Sequence, residues 1–245
     1  MKVMTIQQFL KNPSGPSSAS FARRDLIIEN LKNRYSKIRN DPLSKNKWKC
    51  DIYTDHGQYY FHLKVPSETF RRDLQYDVVI QLLPIGKSAS DLTVNNYAVK
   101  VFSNAPNFLF TYAYIYNKDD ILVSFLKNKI SRKALHDAPV IRNKHEIYGF
   151  EKSVYFALLY ISEYKYNVKS QMPNVIPLNK NMLNKSIGTC EEKLNLYNRL
   201  KYKKETGETK GKDVIGERKA REMVKAVGKG IKRKRKSKQY KRQVL

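Results

Sequence analysis

The stretch from Lys229 to Leu245 holds nine Lys and Arg and no Asp or Glu. A block such as Lys232-Arg233-Lys234-Arg235-Lys236 cannot build a core, because like charges repel and no apolar side chain supports them. Any folded unit must therefore come from residues upstream. The charge divides the chain accordingly. Residues 1–170 carry 26 Lys and Arg against 15 Asp and Glu, net +11; residues 171–245 carry 22 against 7, net +15, of a total of +26. Apolar residues make up 41% of the chain, slightly below the roughly 45–50% usual in globular proteins. Most of the shortfall lies at the C-terminal end, so the remainder can bury a core.

Composition and pattern predict three regions. Residues 1–20 read as an N-terminal arm, Thr5–Leu10, followed by the Pro/Gly/Ser linker KNPSGPSSAS. Residues 21–170 read as one globular domain. Residues 171–245 read as a basic extension, partly helical or disordered. Its first part, 171–184, holds two prolines and four asparagines and reads as a linker. A helix with Leu194, Leu196, Tyr197 and Leu200 is expected over 191–204, and Val214–Val227 has the pattern of a basic helix.

Within the globular part, Leu26, Ile27, Leu31, Tyr35 and Ile38 recur at helical spacing, and Pro42 ends the run. The period then switches to strands. Trp48–Tyr53 and Tyr59–Val65 flank Asp55-His56-Gly57, a hairpin signal. Tyr76–Leu83 and Tyr97–Phe102 read as further strands, with a loop over 84–95. Phe108–Tyr116 (FLFTYAYIY) is rich in aromatic and β-branched residues, which favours a strand, with a buried helix as the alternative. Tyr112, Tyr114 and Tyr116 would then share a sheet face, as core or subunit interface. Asp119–Ile130 predicts a helix with acids at its start and lysines at its end. Glu151–Tyr164 predicts a largely buried one. The expected class is α+β, with an antiparallel or mixed sheet packed with helices.

A positive charge of this size is best tolerated beside a polyanion, of which nucleic acid is the usual one. Lys229, Lys232, Arg233, Lys234, Arg235, Lys236, Lys238, Lys241 and Arg242 are the expected contacts. They suit a phosphate backbone, where each neutralised phosphate releases a counterion and no base sequence is read. Tyr240 is placed to stack on a base.

Catalytic and metal motifs are sparse. Gly86-Lys87-Ser88 follows a strand and echoes the end of a P-loop, but the cradle needs a glycine where Gln81 stands. His56, His62, His136 and His145 pair with no His or Cys at a ligand spacing, and no GxSxG elbow occurs. Cys50 and Cys190 lie far apart, so no disulfide framework is expected. No apolar run is long enough to span a membrane, and none at the N-terminus reads as a signal peptide. The expectation is a protein without metal or cofactor and without catalysis. A metal-dependent nuclease would draw on Asp51, Asp55, Asp73 and Asp77 near strand ends, and on Glu163-Tyr164-Lys165, with Asp77 and Glu163 as first suspects.

The segments YDVVIQLL (76–83), VFSNAPNFLFTYAYIYN (101–117) and RNKHEIYGFEKSVYFALLYI (142–161) resemble proteins encoded by tailed bacteriophages. That resemblance covers roughly residues 76–161 and contains no catalytic motif. It implies a virion structural or assembly role in the head, neck or tail, with other virion proteins as partners, an oligomeric setting, and residence in the virion or host cytoplasm. A free DNA- or RNA-binding accessory protein is the second reading, although no helix-turn-helix, zinc-finger or RNP signature occurs.

Overall fold

The structure is a computed structural model that describes residues 4–11, 21–85, 97–139, 151–163 and 175–206. It is α+β: a mixed five-stranded sheet packed with helices. Two compact units divide the chain, Met1–Lys193 and Leu194–Leu245. The first therefore extends beyond residue 170, where the composition changes.

The first long element is helix α2 (Phe21–Asn40), preceded by the short α1 (Ile6–Lys11). Leu31, Tyr35 and Ile38 of α2 are buried at i, i+4, i+7 spacing, whereas Leu26 is 66% exposed and leaves the stripe. Asp41 accepts from the Leu43 backbone N–H to cap α3 (Pro42–Lys45), with Pro42 at the first helical turn. Strands β1 (Lys49–Asp55) and β2 (Gln58–Pro66) form the expected hairpin. His56 (φ 47°) and Gly57 (φ 76°) both take the left-handed conformation, as a two-residue type I′ turn requires. Strands β3 (Gln75–Leu83) and β4 (Ala98–Ser103) continue the antiparallel meander.

The strand order is β4-β3-β2-β1-β5, with the three-residue β5 (Val175–Pro177) parallel to β1. The residues read as a linker over 171–184 thus contribute an edge strand, because Val175–Pro177 meets the open side of β1. The opposite edge, β4, is covered from two directions. The Val99 N–H donates to Met4 O (2.9 Å) and the Val101 N–H to Ile121 O (2.7 Å). Such cover removes an unpaired ladder that would otherwise invite association. It also makes the N-terminal arm part of the domain, with Ile6 and Phe9 buried.

Register sorts the side chains onto two chemically different faces. One face carries Cys50 and Ile52, then Phe61, Leu63 and Val65, then Val78, Ile80 and Leu82, then Val99 and Val101. Helix α6 (Lys152–Glu163) packs on this face, with eight of its residues buried. Each large apolar side chain removed from water there contributes about 1.5–3 kcal/mol. The other face is more polar: Asp51, Gln58, His62, Lys64, Asp77, Gln81 and Lys100 share it with Val79 and Phe102. Tyr60, also on that side, meets the Phe125 ring at 6.0 Å.

Two expectations are corrected. Phe108–Tyr116 is helical: a π turn over Phe108–Tyr112 leads into α4 (Ala113–Lys118). The segment follows Pro106 and turns Phe108, Ala113, Ile115 and Tyr116 into the core, which a period-two strand would divide between faces. The reading of its tyrosines as core fits Tyr116, which is buried, while Tyr112 and Tyr114 are half-buried. Asp119–Ile130 is not an α-helix. Asp120 adopts φ 56°, Ile121–Val123 runs beside β4, and Ser124–Lys129 forms a 3-10 turn before α5 (Arg132–His136). The free edge of β4 outweighs the helix-favouring charge pattern of that segment. Helices α7 (Lys180–Ser186) and α8 (Cys190–Thr206) follow β5, and α8 matches the helix expected over 191–204.

Candidate nucleic-acid interface

The nine cations Lys229, Lys232, Arg233, Lys234, Arg235, Lys236, Lys238, Lys241 and Arg242 lie outside the described residues, as do Tyr240, Val214–Val227, Gly86-Lys87-Ser88 and His145. The described residues show how the body uses its own charges, which sets what remains for a partner.

Many carboxylates of the body are engaged by its own cations. Glu68, in the turn after β2, accepts from Arg34 Nε of α2 (2.8 Å) and Lys152 Nζ of α6 (2.6 Å). The Arg34 hydrogen bonds, joined by Lys152 and opposed by burial, hold the Glu68 carboxyl at about 2. Asp41 pairs with Arg71, Lys180 with Asp55 (2.7 Å), Lys100 with Asp120 (2.7 Å), and Arg39 with Glu163 (3.8 Å). Arg39 also lies 4.7 Å from the centroid of the Tyr160 ring, which stacks on Trp48.

The deepest cluster centres on Asp77, at the start of β3 and 2% exposed. His62 Nε2 lies 3.0 Å from Asp77 Oδ1, Lys64 Nζ donates to the same oxygen at 3.2 Å, and Lys193 Nζ is 3.5 Å from Oδ2. Asn104 completes the shell: its Nδ2 donates to Asp77 Oδ2 (2.9 Å) and to Gly188 O (3.0 Å), and its Oδ1 accepts from the Asp77 N–H (2.8 Å). Burial opposes ionisation of Asp77. The His62 hydrogen bond and the Lys193 and Lys64 charges outweigh it, holding the carboxyl well below the usual range. The cluster joins β2, β3, the turn after β4 and the first turn of α8. Asp77 and Glu163 therefore belong to separate ion-pair networks. Among the described residues no group of three His, Cys, Asp or Glu is placed to hold a metal ion.

Sequence reasoning missed a second buried acid, Glu151. The Val154 N–H donates to Glu151 Oε2 at 2.7 Å, so Glu151 caps α6. A hydrogen-bond chain leads to the same carboxyl: the Ala105 N–H donates to Ser103 Oγ (3.1 Å), Ser103 Oγ lies 2.8 Å from Ser153 Oγ, and Ser153 Oγ donates to Glu151. Burial raises the Glu151 carboxyl above its ordinary value against these donors. A folded pKa above the unfolded one means that the native state holds the proton longer as pH rises. The stabilisation is complete below the unfolded pKa and is lost through the folded one. Glu151→Gln keeps the acceptor and never ionises. It should match the parent at pH 4 and be the more stable of the two at pH 8 in urea unfolding. Glu151→Ala should cost about 1–2 kcal/mol at both. A glutamine variant weaker than the parent at pH 8 would contradict this account.

The remaining charge is on the surface. From Ile121 to His136 the sequence holds Lys127, Lys129, Arg132, Lys133 and His136, with no Asp or Glu. Ser131 caps α5 by accepting from the Ala134 N–H, and Leu135 is buried beneath it. Arg132, Lys133 and His136 are exposed and, with Asp137, line one shallow open depression. Of the other histidines, His56 is exposed at the hairpin turn and His62 belongs to the Asp77 cluster.

Comparison with family models, with curated proteins and with solved structures finds no match to this chain. Among the described residues, no helix is long and apolar enough to cross a membrane.

Proposed function

We propose that the chain is a non-enzymatic structural or assembly protein of a bacteriophage virion, placed in head, neck or tail, whose C-terminal cations hold a nucleic-acid backbone without reading its sequence. The carrying observation is the run of nine Lys and Arg from Lys229 onward with no acid among them. Asp41, Asp55, Glu68, Asp77, Asp120 and Glu163 are each engaged by a cation within the domain, so these six offer little counterweight to the tail. A polyanion is the partner that neutralises the remainder most completely, and counterion release makes DNA a favourable one. The two carboxylates a nuclease would draw on first support the non-enzymatic half of the reading. Asp77 is enclosed by cations, and Glu163 is paired with Arg39 at the end of α6. The virion half rests on the resemblance of residues 76–161 to tailed-phage proteins.

The test is co-fractionation. Particles banded on a density gradient from cells producing the phage should contain the chain at constant stoichiometry across the particle peak. A chain that stays entirely in the unbanded supernatant overturns the virion role.

A further inference from the structure

We propose that the exposed face of α5, through Arg132 and Lys133, is a second contact for the nucleic-acid backbone, built into the folded body and independent of the C-terminal cations. The choice of partner rests on the function proposed above; the surface rests on the fold. Arg132 and Lys133 are adjacent in the first turn of a helix whose inner side is fixed by buried Leu135 and by Asn117 Nδ2 donating to Leu135 O at 3.2 Å. Neither has a carboxylate within ion-pair distance among the described residues. Asp137, one turn on, lines the same depression and is the one acid among the described residues that do. The approach from Ile121 contributes Lys127 and Lys129 and no acid.

A phosphodiester backbone fits this surface better than a lipid headgroup layer. A peripheral membrane contact draws on apolar side chains beside its cations. The large apolar side chains exposed among the described residues are Leu26, Leu43, Ile85, Phe110, Ile176 and Met182, none of them on α5. An open depression with an Arg fork and a Lys point charge suits successive phosphate oxygens.

The experiment uses the full chain and a 30-base-pair duplex of arbitrary sequence, with binding followed from about 50 to 200 mM salt. Arg132→Gln combined with Lys133→Gln should lower the salt slope by about 2 and weaken binding near 100 mM salt about tenfold. The thermal melt should not change, because both side chains are exposed. In the unsubstituted chain, duplex should also protect Lys133 from acetylation, a readout that needs no variant. An unchanged slope, or equal acetylation with and without duplex, overturns the inference. So does a variant that loses phosphatidylserine vesicles while keeping the full DNA slope. Deleting residues 229–245 separates the two claims. If only that deletion lowers the slope, the C-terminal contact stands and this one fails; if only the α5 variant lowers it, the reverse holds.

Discussion

Asp77→Ala should destabilise the fold by about 3–5 kcal/mol, the usual cost of stripping one partner from a buried ion pair. The size follows from the surroundings. His62 and Asp77 are both buried, and Lys64 and Lys193 direct their ammonium groups at the same carboxylate. Without it, these cations lose their shared anion. Asn104 also loses an acceptor for the Nδ2 that bridges to Gly188 O. Asp77→Asn should recover part of the loss by restoring a neutral acceptor for Asn104, but not the charge. Urea unfolding at pH 7 checks both. A loss below about 1 kcal/mol for the alanine variant would show that the cluster is a weak surface-type pair. The result would also bear on chemistry, since a carboxylate needed to hold the fold in this way has little freedom to bind a metal ion.

The sheet was the most legible part of the fold, and the reason is local. The aromatic and β-branched runs Trp48–Tyr53 and Tyr59–Val65 are joined by a turn whose Gly57 accepts positive φ. Helix α6 was equally clear, because its apolar residues are too dense for a surface helix. What failed depended on distant partners. Ile121–Val123 leaves the helical conformation because β4 offers a free edge, and no local pattern in 119–130 records where β4 ends. Val175–Pro177 becomes a strand for the same reason, among prolines and asparagines that read as linker. In Phe108–Tyr116 the aromatic content pointed to a strand; the burial of Phe108, Ala113 and Tyr116 together requires a helix.

The proposed interface was legible in charge and hidden in geometry. The run from Lys229 is visible in sequence. The proposed body contact is not, because Arg132 and Lys133 lie just beyond a segment read as one helix ending at Ile130. Only the 3-10 turn and the separate α5 place them on an outer face. Asp77 was suspected as a metal ligand because it stands near a strand end. The register sets it opposite Lys64, beside His62, where it is held in an ion-pair cluster. Glu151 gave no signal: glutamate is not among the usual cap residues, and the Ser153 link that ties its carboxyl to Ser103 of the sheet is long-range.

The second large effect concerns the C-terminal cations. If about six phosphates are neutralised, affinity for duplex DNA should fall roughly a thousandfold between 50 and 200 mM salt. Removing residues 229–245 takes away nine Lys and Arg and should remove most of that dependence. The melting transition of the body should be preserved, since the sheet, α6 and the Asp77 cluster all lie within Met1–Lys193. Duplexes of unrelated sequence should bind alike, because backbone contacts carry no base information. The decisive measurement is therefore the slope of log affinity against log salt concentration for the full chain and for the chain ending at Gly228. A markedly shallower slope and weaker binding for the shortened chain are expected. Two superimposable lines would show that the C-terminal cations take no part in holding nucleic acid.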